Sequence, residues 1–418
     1  MTIVKRARQA FYGWRILASS CLVGAIGSGL VTYGFTVFFL PISQSLGINR
    51  TATSLVFSLS RSEGAIEGPI AGYFIDRLGA RKMLLFAGII MGTGYLLLAR
   101  VNSFAAFLIV YMGIVSVGFN AGVMNVPMAA TTSWFARRRG LATGILSAAF
   151  GLGGAIVPPM LSLGIQNFGW RTSAFLSGLV VISFFIPAAF VFRRSPESMG
   201  LLPDGDTVKT NAPTNLNSAP REVDFSVREA MRTPAFWLLT MAICLRLATF
   251  MGMTVHFVPL MVWKGTSEAT GAVLLGAISL ITLPLRLFLG WVSDRISRTS
   301  IIAAACAIGA GALLLLFYAK PGWQLWLFVM FFAFPESVGP LAWSLIADFF
   351  GRRRFATLRG IMSAFTGIAG AVIPVLAGFL YDTTQSYKVT IWIMMAILIL
   401  STSLFLVLRP PIRPSGRI

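Results

Sequence analysis

Inside the apolar run that ends in "LPLRLFLGWVSDR" (residues 283–295) stands Arg286. A guanidinium placed in hydrocarbon costs about 2.5–3.5 kcal/mol on insertion scales, so its presence asks for an anion. Its planar fork grips a carboxylate through two parallel hydrogen bonds, a geometry that an ammonium does not reproduce. Arg61, Glu63, Glu67, Arg246, His256 and Glu336 also fall within apolar runs. Arginines and glutamates balance in this set, so structural ion pairing is the plain alternative to function for each. Glu63 and Glu67 are four residues apart and share a helix face. Two carboxylates that close in low dielectric do not both ionise cheaply, which suits one of them to carrying a proton. Glu67, in "EGPIAG", is therefore a proton-coupling candidate, the alternative being a gate or a structural tie to an arginine. Glu336, in "FFAFPESVGP", is the second such candidate.

Neutral groups complete the chemistry. His256, the one histidine, sits in "TVHFVPL" and is read as lining a cavity, the alternative being a helix contact. Asn120 in "VGFNAGVMNVP" can bind a substrate hydroxyl, whereas Asn125 is read as a structural amide. Tyr33 can donate a hydrogen bond to a ligand, and Phe334 is a candidate for an apolar wall.

What positions these residues is a membrane. The 418 residues are 56% hydrophobic and only 11% charged, with a mean hydropathy of +0.80; an ordinary soluble chain carries about 25% charged residues. Apolar stretches long enough to cross a core of about 30 Å recur almost to the C-terminus. Twelve spans are expected, at 12–40, 51–75, 83–100, 104–133, 141–165, 171–192, 235–262, 270–292, 299–319, 323–349, 357–381 and 389–408. The first is read as a helix rather than a removable leader. Between the sixth and seventh lies one long polar stretch, too polar to build a core, followed by "FSVREAMRTPAFW", which has the makings of a short amphipathic helix.

The formal charge of +20 is not the footprint of a nucleic-acid binder. Its cations cluster in "KRAR", "RLGARK", "ARRR", "DRISR" and "GRRR", with Arg50, Arg100, Arg171, Lys264, Lys320 and Lys388 in the intervening loops. Cytoplasmic loops carry such an excess, so both termini are expected on the cytoplasmic side of the plasma membrane, with the basic loops attracted to anionic lipid. Cys21, Cys244 and Cys306 fall in apolar runs and imply no disulfide framework. There is no phosphate-binding G-x-x-x-x-G-K-[ST] loop and no histidine and cysteine set at metal-ligand spacing. No cofactor, no metal and no enzymatic activity are expected.

The two halves repeat. "GYFIDRLGAR" aligns with "GWVSDRISRT", and "WFARRRGLATGILSAAFGLGGAIVPP" aligns with "FFGRRRFATLRGIMSAFTGIAGAVIP", in the same order. Duplicated units of this kind place a binding site near the bilayer midplane and rock about it. The expectation is an all-α membrane protein of twelve helices in two pseudo-symmetric six-helix bundles, residues 1–192 and 234–418, joined by a cytoplasmic linker at 193–233.

On these motifs the chain resembles the major facilitator superfamily over nearly its whole length. "GYFIDRLGARK" is similar to that superfamily's G-x-x-x-D-R-x-G-x-[RK]-[RK] loop, and the resemblance implies gating roles for Asp76 and Arg77, and for Asp294 and Arg295 in the second repeat. Within the superfamily it looks most like bacterial monocarboxylate transporter-like carriers, neighbours of the oxalate–formate antiporters. "WFARRRGLATGILSAAFGLGG" resembles their fifth-span signature. "LPLRLFLGWVSDR" resembles their eighth span, which implies that Arg286 binds the substrate carboxylate; His256 likewise stands where resembling bacterial carriers have a histidine. The departures are Thr282 where the animal members carry Asp, no Lys or Arg between Arg15 and Arg50, and no cation in the eleventh span. A single substrate-facing cation favours a monoanion. The resemblance implies a monomeric secondary transporter that moves a small monocarboxylate of the lactate or pyruvate kind together with a proton. Exchange of dicarboxylates or formate is the alternative, and a drug exporter is less favoured because Arg286 suits anions.

Overall fold

The computed structural model describes residues 11–135, 138–193, 196, 199, 225–293, 295–351 and 354–411. These residues are helical almost throughout, in twelve membrane-length helices. Helix α1 runs over Tyr12–Gly27, widens into a π-helical turn at Ser28–Tyr33 and resumes as Phe35–Leu46. Then come α2 (Arg50–Leu78), α3 (Ala80–Leu98) and α4, which spans Phe104–Trp134 with π-helical turns at Tyr111–Ser116 and Phe119–Met124. Helices α5 and α6 lie within the continuous stretch Arg139–Val191 and are separated by Gly169, whose φ of 78° breaks the helix. The remainder are α7 (Pro234–Trp263), α8 (Glu268–Val292), α9 (Arg298–Tyr318), α10 (Trp323–Ser337 and Gly339–Phe350), α11 (Phe355–Thr384) and α12 (Lys388–Val407).

The helix starts follow from local chemistry. Ser267 Oγ accepts from the Thr270 N–H, Ser297 Oγ from the Ser300 N–H, and Thr233 Oγ1 from the Phe236 N–H with Pro234 in the first turn. Each cap satisfies an N–H that the helix itself leaves without a partner. The expected short helix is present at Val227–Arg232, closed by a reciprocal capping box between Ser226 and Glu229. Phe225 anchors it, its N–H bonded to the Phe350 carbonyl at 3.0 Å and its ring 5.7 Å from that of Phe350. Most of the expected linker, 193–233, lies outside the described residues.

By internal contacts the chain divides into two compact units: Met1–Phe35 with Ile66–Pro213, and Thr36–Ala65 with Thr214–Ile418. Residues 36–65, which belong to the first sequence repeat, thus pack with the second. Both units are built on close helix approaches. In the first, a Cβ on Gly153 of α5 would stand 2.0 Å from the Ala25 carbonyl oxygen of α1, and one on Gly122 of α4 would stand 2.0 Å from the Ala87 Cβ of α3. In the second, Gly252 of α7 admits Ile373 of α11, and Gly309 of α9 admits Pro335 of α10. Small residues of this kind let helices reach van der Waals contact where lipid supplies no hydrophobic drive. The outward faces are apolar, as at Leu287 (79% exposed), while Tyr318 and Trp323 (each 71%) stand at helix ends where aromatic rings meet the membrane interface. Cys244 and Cys306 are buried free thiols.

Candidate substrate-binding site

Arg286 is carried on α8, two residues after Pro284, and Glu336 on α10, one residue after Pro335. Neither proline can continue the backbone ladder, and α10 also breaks at Val338. Arg286 Nη2 lies 3.6 Å from Glu336 Oε1, the arginine side chain 25% exposed and the glutamate 6%. This is an ion pair, longer than a hydrogen bond. The Arg286 Nε–H is buried and has no hydrogen-bond partner among the described residues. A buried charged donor left idle is costly.

Arg246 of α7 also has a buried Nε–H with no hydrogen-bond partner among the described residues, but its fork is engaged with the backbone. Only 4% exposed, it donates from Nη1 to the Pro335 carbonyl at 2.8 Å. The cavity beside it, bounded by Thr249, Phe332 and Glu336, is about 10 Å³, room for no more than a water. Arg246 braces the backbone at the α10 break and thereby fixes where Glu336 sits. Phe334, on the same stretch of α10, is half-buried.

His256 is fully buried and both its ring nitrogens are engaged. Arg50 Nη1 donates to the Tyr387 hydroxyl at 2.7 Å. Burial pushes that phenol up, so it keeps its proton and donates to His256 Nδ1 at 2.8 Å. Nε2 then carries the ring hydrogen and faces the Pro374 carbonyl at 2.8 Å, with Ser54 Oγ 2.9 Å away. The Phe39 ring packs at 5.1 Å. In this conformation the ring ties α2, α7, α11 and the turn before α12 rather than offering a nitrogen to a ligand.

The candidates in the first unit lie on π-helical turns: Tyr33 on that of α1 and Asn120 on the second of α4, both buried. Such turns are common where a helix serves a site. Asn120 Nδ2 donates to Ser116 Oγ at 3.1 Å. Asn125 Nδ2 donates to the Asn120 carbonyl at 2.6 Å, tying the helix to itself. Glu67 of α2 lines a largely apolar cavity of about 450 Å³ with Phe74, Lys82 and Val117, and its buried Oε2 has no hydrogen-bond partner among the described residues.

Of the expected gating residues, the side chain of Asp76 and the whole of Asp294 lie outside the described residues. Arg77 Nη1 donates to the Tyr73 hydroxyl at 3.0 Å, and Arg295 stacks 3.8 Å above the Trp291 ring. The well-formed ion pair near this second loop is one that sequence reasoning missed: Arg298 Nη1 reaches both oxygens of Asp348 at 2.9 and 2.8 Å. Also missed was Asp382, which accepts from the backbone N–H groups of Arg50 and Thr51 at the start of α2. A usable signal existed, because Asp382 is one of two acidic residues in the loops that otherwise carry Arg50, Lys264 and Lys388; the other is Glu268.

The family model described as Major Facilitator Superfamily matches residues 21–357. An oxalate:formate antiporter of Oxalobacter formigenes is 28% identical over 305 residues, covering 72% of this chain and 68% of that protein. Monocarboxylate transporter 12-B of Danio rerio is 22% identical over 402 residues, covering 91% and 84%. A probable sulfoacetate transporter of Cupriavidus necator is 26% identical over 377 residues, covering 85% of each. Among solved structures, a bacterial homolog of the human lysosomal transporter Spinster superposes with a TM-score of 0.73 at 16% identity, covering 94% of this chain and 96% of that one. At that identity the likeness speaks for the fold alone.

Proposed function

The chain belongs to the Major Facilitator Superfamily, a family of membrane transporters rather than enzymes, and from that premise we propose that it carries a small monocarboxylate, of the lactate or pyruvate kind, together with a proton. The observation that carries this reading is the loose Arg286–Glu336 pair with its idle Nε–H. A substrate carboxylate is a better partner for Arg286 than Glu336 at 3.6 Å, because it can take two parallel hydrogen bonds. Once displaced, Glu336 loses its Arg286 partner, and a buried carboxylate with weaker cationic support takes up a proton more readily. One anion and one proton are thus taken up by the same exchange of partners. The loaded site is electrically no different from the empty one, so it can be presented to either side of the membrane without carrying net charge across. Phe334, on the helix that carries Glu336, would supply apolar wall. The basic loops support placing both termini on the cytoplasmic side of a plasma membrane.

The named relatives support the substrate class: an oxalate:formate antiporter, a monocarboxylate transporter and a probable sulfoacetate transporter all take their names from small organic acids. The first of these favours a second reading, exchange of one organic anion for another. Uptake of labelled L-lactate into proteoliposomes separates the two. Accumulation driven by an inside-alkaline gradient, and lost in Arg286→Gln, is the expected result. Uptake that depends on internal anion and ignores the gradient would replace symport by exchange. No uptake of any carboxylate by folded protein would discard the reading.

A further inference from the structure

A carboxylate in the first unit has a cavity of its own. Glu67 of α2 stands in the wall of the space of about 450 Å³ between α2, α3 and α4, a volume inside the range for small-ligand sites, about 300–1,000 Å³. The whole of that wall belongs to the first compact unit, and neither Arg286 nor Glu336 is part of it. The buried Oε2 of Glu67 accepts no hydrogen bond from the described residues. An acceptor of this kind is costly to leave idle, and a donor that enters the cavity can meet it. Most of the remaining wall is apolar, and Ile70, Phe74 and Phe86 in it are exposed. On membrane-spanning helices such side chains are reached through hydrocarbon.

Depth decides what kind of donor fits. Glu67 lies eleven residues before Leu78, where α2 ends, which is about 16 Å along the helix. Half of a hydrocarbon core is about 15 Å, so the carboxylate stands deeper than a lipid headgroup reaches. Lys82 is the third residue of α3 and lies by the same loop as Leu78, at the other end of the cavity. The cavity is thus acidic at its deep end, apolar along its length and basic at its rim. A fatty acid with its carboxylate at Lys82 would leave Glu67 facing methyl groups, with no donor. A single-chain amine with its nitrogen inward satisfies the deep end and keeps its own charge away from Lys82.

We propose that this cavity is a binding site for an amphipathic amine, whose ammonium pairs with Glu67 and whose chain runs past Phe74 and Phe86 toward the rim. The ammonium donates a charge-assisted hydrogen bond to the carboxylate, and a phenylalanine ring face attracts the same charge. The site is separate from the carboxylate reading at Arg286 and does not rest on it.

Binding of radiolabelled dodecylamine to the full chain in lipid nanodiscs tests it, with empty nanodiscs subtracting what dissolves in the lipid. The expected result is a single saturable equivalent per chain. Glu67→Gln should weaken it at least tenfold, the loss of a hydrogen bond between charged groups, and Glu67→Asp should keep part of it. Val117→Trp, which fills the cavity without touching a charge, should remove the saturable component. The α,ω-diamine of the same length, which sets a second ammonium against Lys82, should compete more weakly than dodecylamine, and dodecanoate should not compete. Saturable binding unchanged in both Glu67→Gln and Val117→Trp would overturn the proposal. Displacement by dodecanoate together with loss of binding in Lys82→Ala would overturn it too, making the cavity a site for anionic chains. Arg286→Gln should bind dodecylamine as wild type does, so failure here and failure of the carboxylate reading are seen separately.

Discussion

The Arg286 guanidinium faces the Glu336 carboxylate across 3.6 Å, from two helices each interrupted by a proline close to the charged residue. The pair is close enough for the two charges to attract and too long for a hydrogen bond between them. On the function proposed above, a substrate carboxylate competes for the arginine on favourable terms.

Removing either partner should therefore have opposite effects on binding. Arg286→Gln takes away a charge-assisted hydrogen bond of about 2–3 kcal/mol and should weaken lactate binding roughly 30- to 150-fold. Glu336→Gln removes the competitor, and affinity for lactate should rise. In the same variant, uptake should stop responding to an inside-alkaline gradient while lactate–lactate exchange continues. Counterflow and gradient-driven uptake in proteoliposomes check both. Retained pH drive in Glu336→Gln would pass the proton role to Glu67, whose own Gln variant is then the decisive one.

His256 is expected to act through stability rather than through substrate affinity. Its ring joins Tyr387, the Pro374 carbonyl and Ser54. Truncation to Ala leaves buried donors and acceptors idle at about 1–3 kcal/mol. A lowered melting temperature with an unchanged KM is the expected outcome. A raised KM at unchanged stability would return His256 to the cavity wall.

Asp382 holds the start of α2 from a different helix, accepting the Arg50 and Thr51 N–H groups at 3.1 and 2.8 Å. Replacement by Ala should cost about 1–2 kcal/mol, the range for a lost charged cap at a helix N-terminus. Asn, which keeps a carbonyl acceptor, should recover part of it. Thermal unfolding in detergent measures the difference. Equal melting of the Ala variant and wild type would show that the cap contributes nothing.

Asn120 bears on which acid is carried. If its amide meets the 2-hydroxyl of the substrate, Asn120→Ala should raise the KM for lactate several-fold and leave that for propionate unchanged. The two acids differ only in the hydroxyl group. A parallel rise for both would mean that the amide only supports the π-helical turn with Ser116.

Two glycines on α5 should respond oppositely to one added methyl. Gly153→Ala must push α1 and α5 apart, its Cβ meeting the Ala25 carbonyl oxygen at 2.0 Å, whereas a Cβ on Gly144 meets nothing within 4 Å. About 1–3 kcal/mol of destabilisation is expected for the first and slight stabilisation for the second, because Gly costs about 1 kcal/mol against Ala in a helix. Folded yield and melting temperature report it.

Much of this protein was determined along the chain alone. Hydrocarbon demands about 20 apolar residues per crossing and an internally bonded backbone, so the helices could be read from length and hydropathy. The caps at their starts are local too, since Ser267, Ser297 and Thr233 each bond an N–H within a turn of themselves. The repeat and the arginine in the eighth span were equally local, and they led to the family. The partners of the buried charges were decided by tertiary structure. Three arginines and three glutamates allow many pairings, and composition assigns none of them. Only packing brings Arg286 to Glu336, sets Arg246 against the Pro335 carbonyl and opens a cavity beside Glu67. The bond from Arg50 to Asp382 joins residues 332 apart in sequence, and His256 is held by neighbours 118 and 131 positions away. No periodicity connects such residues. A charge in a membrane announces that it needs a partner, but which partner it has is a property of the folded chain.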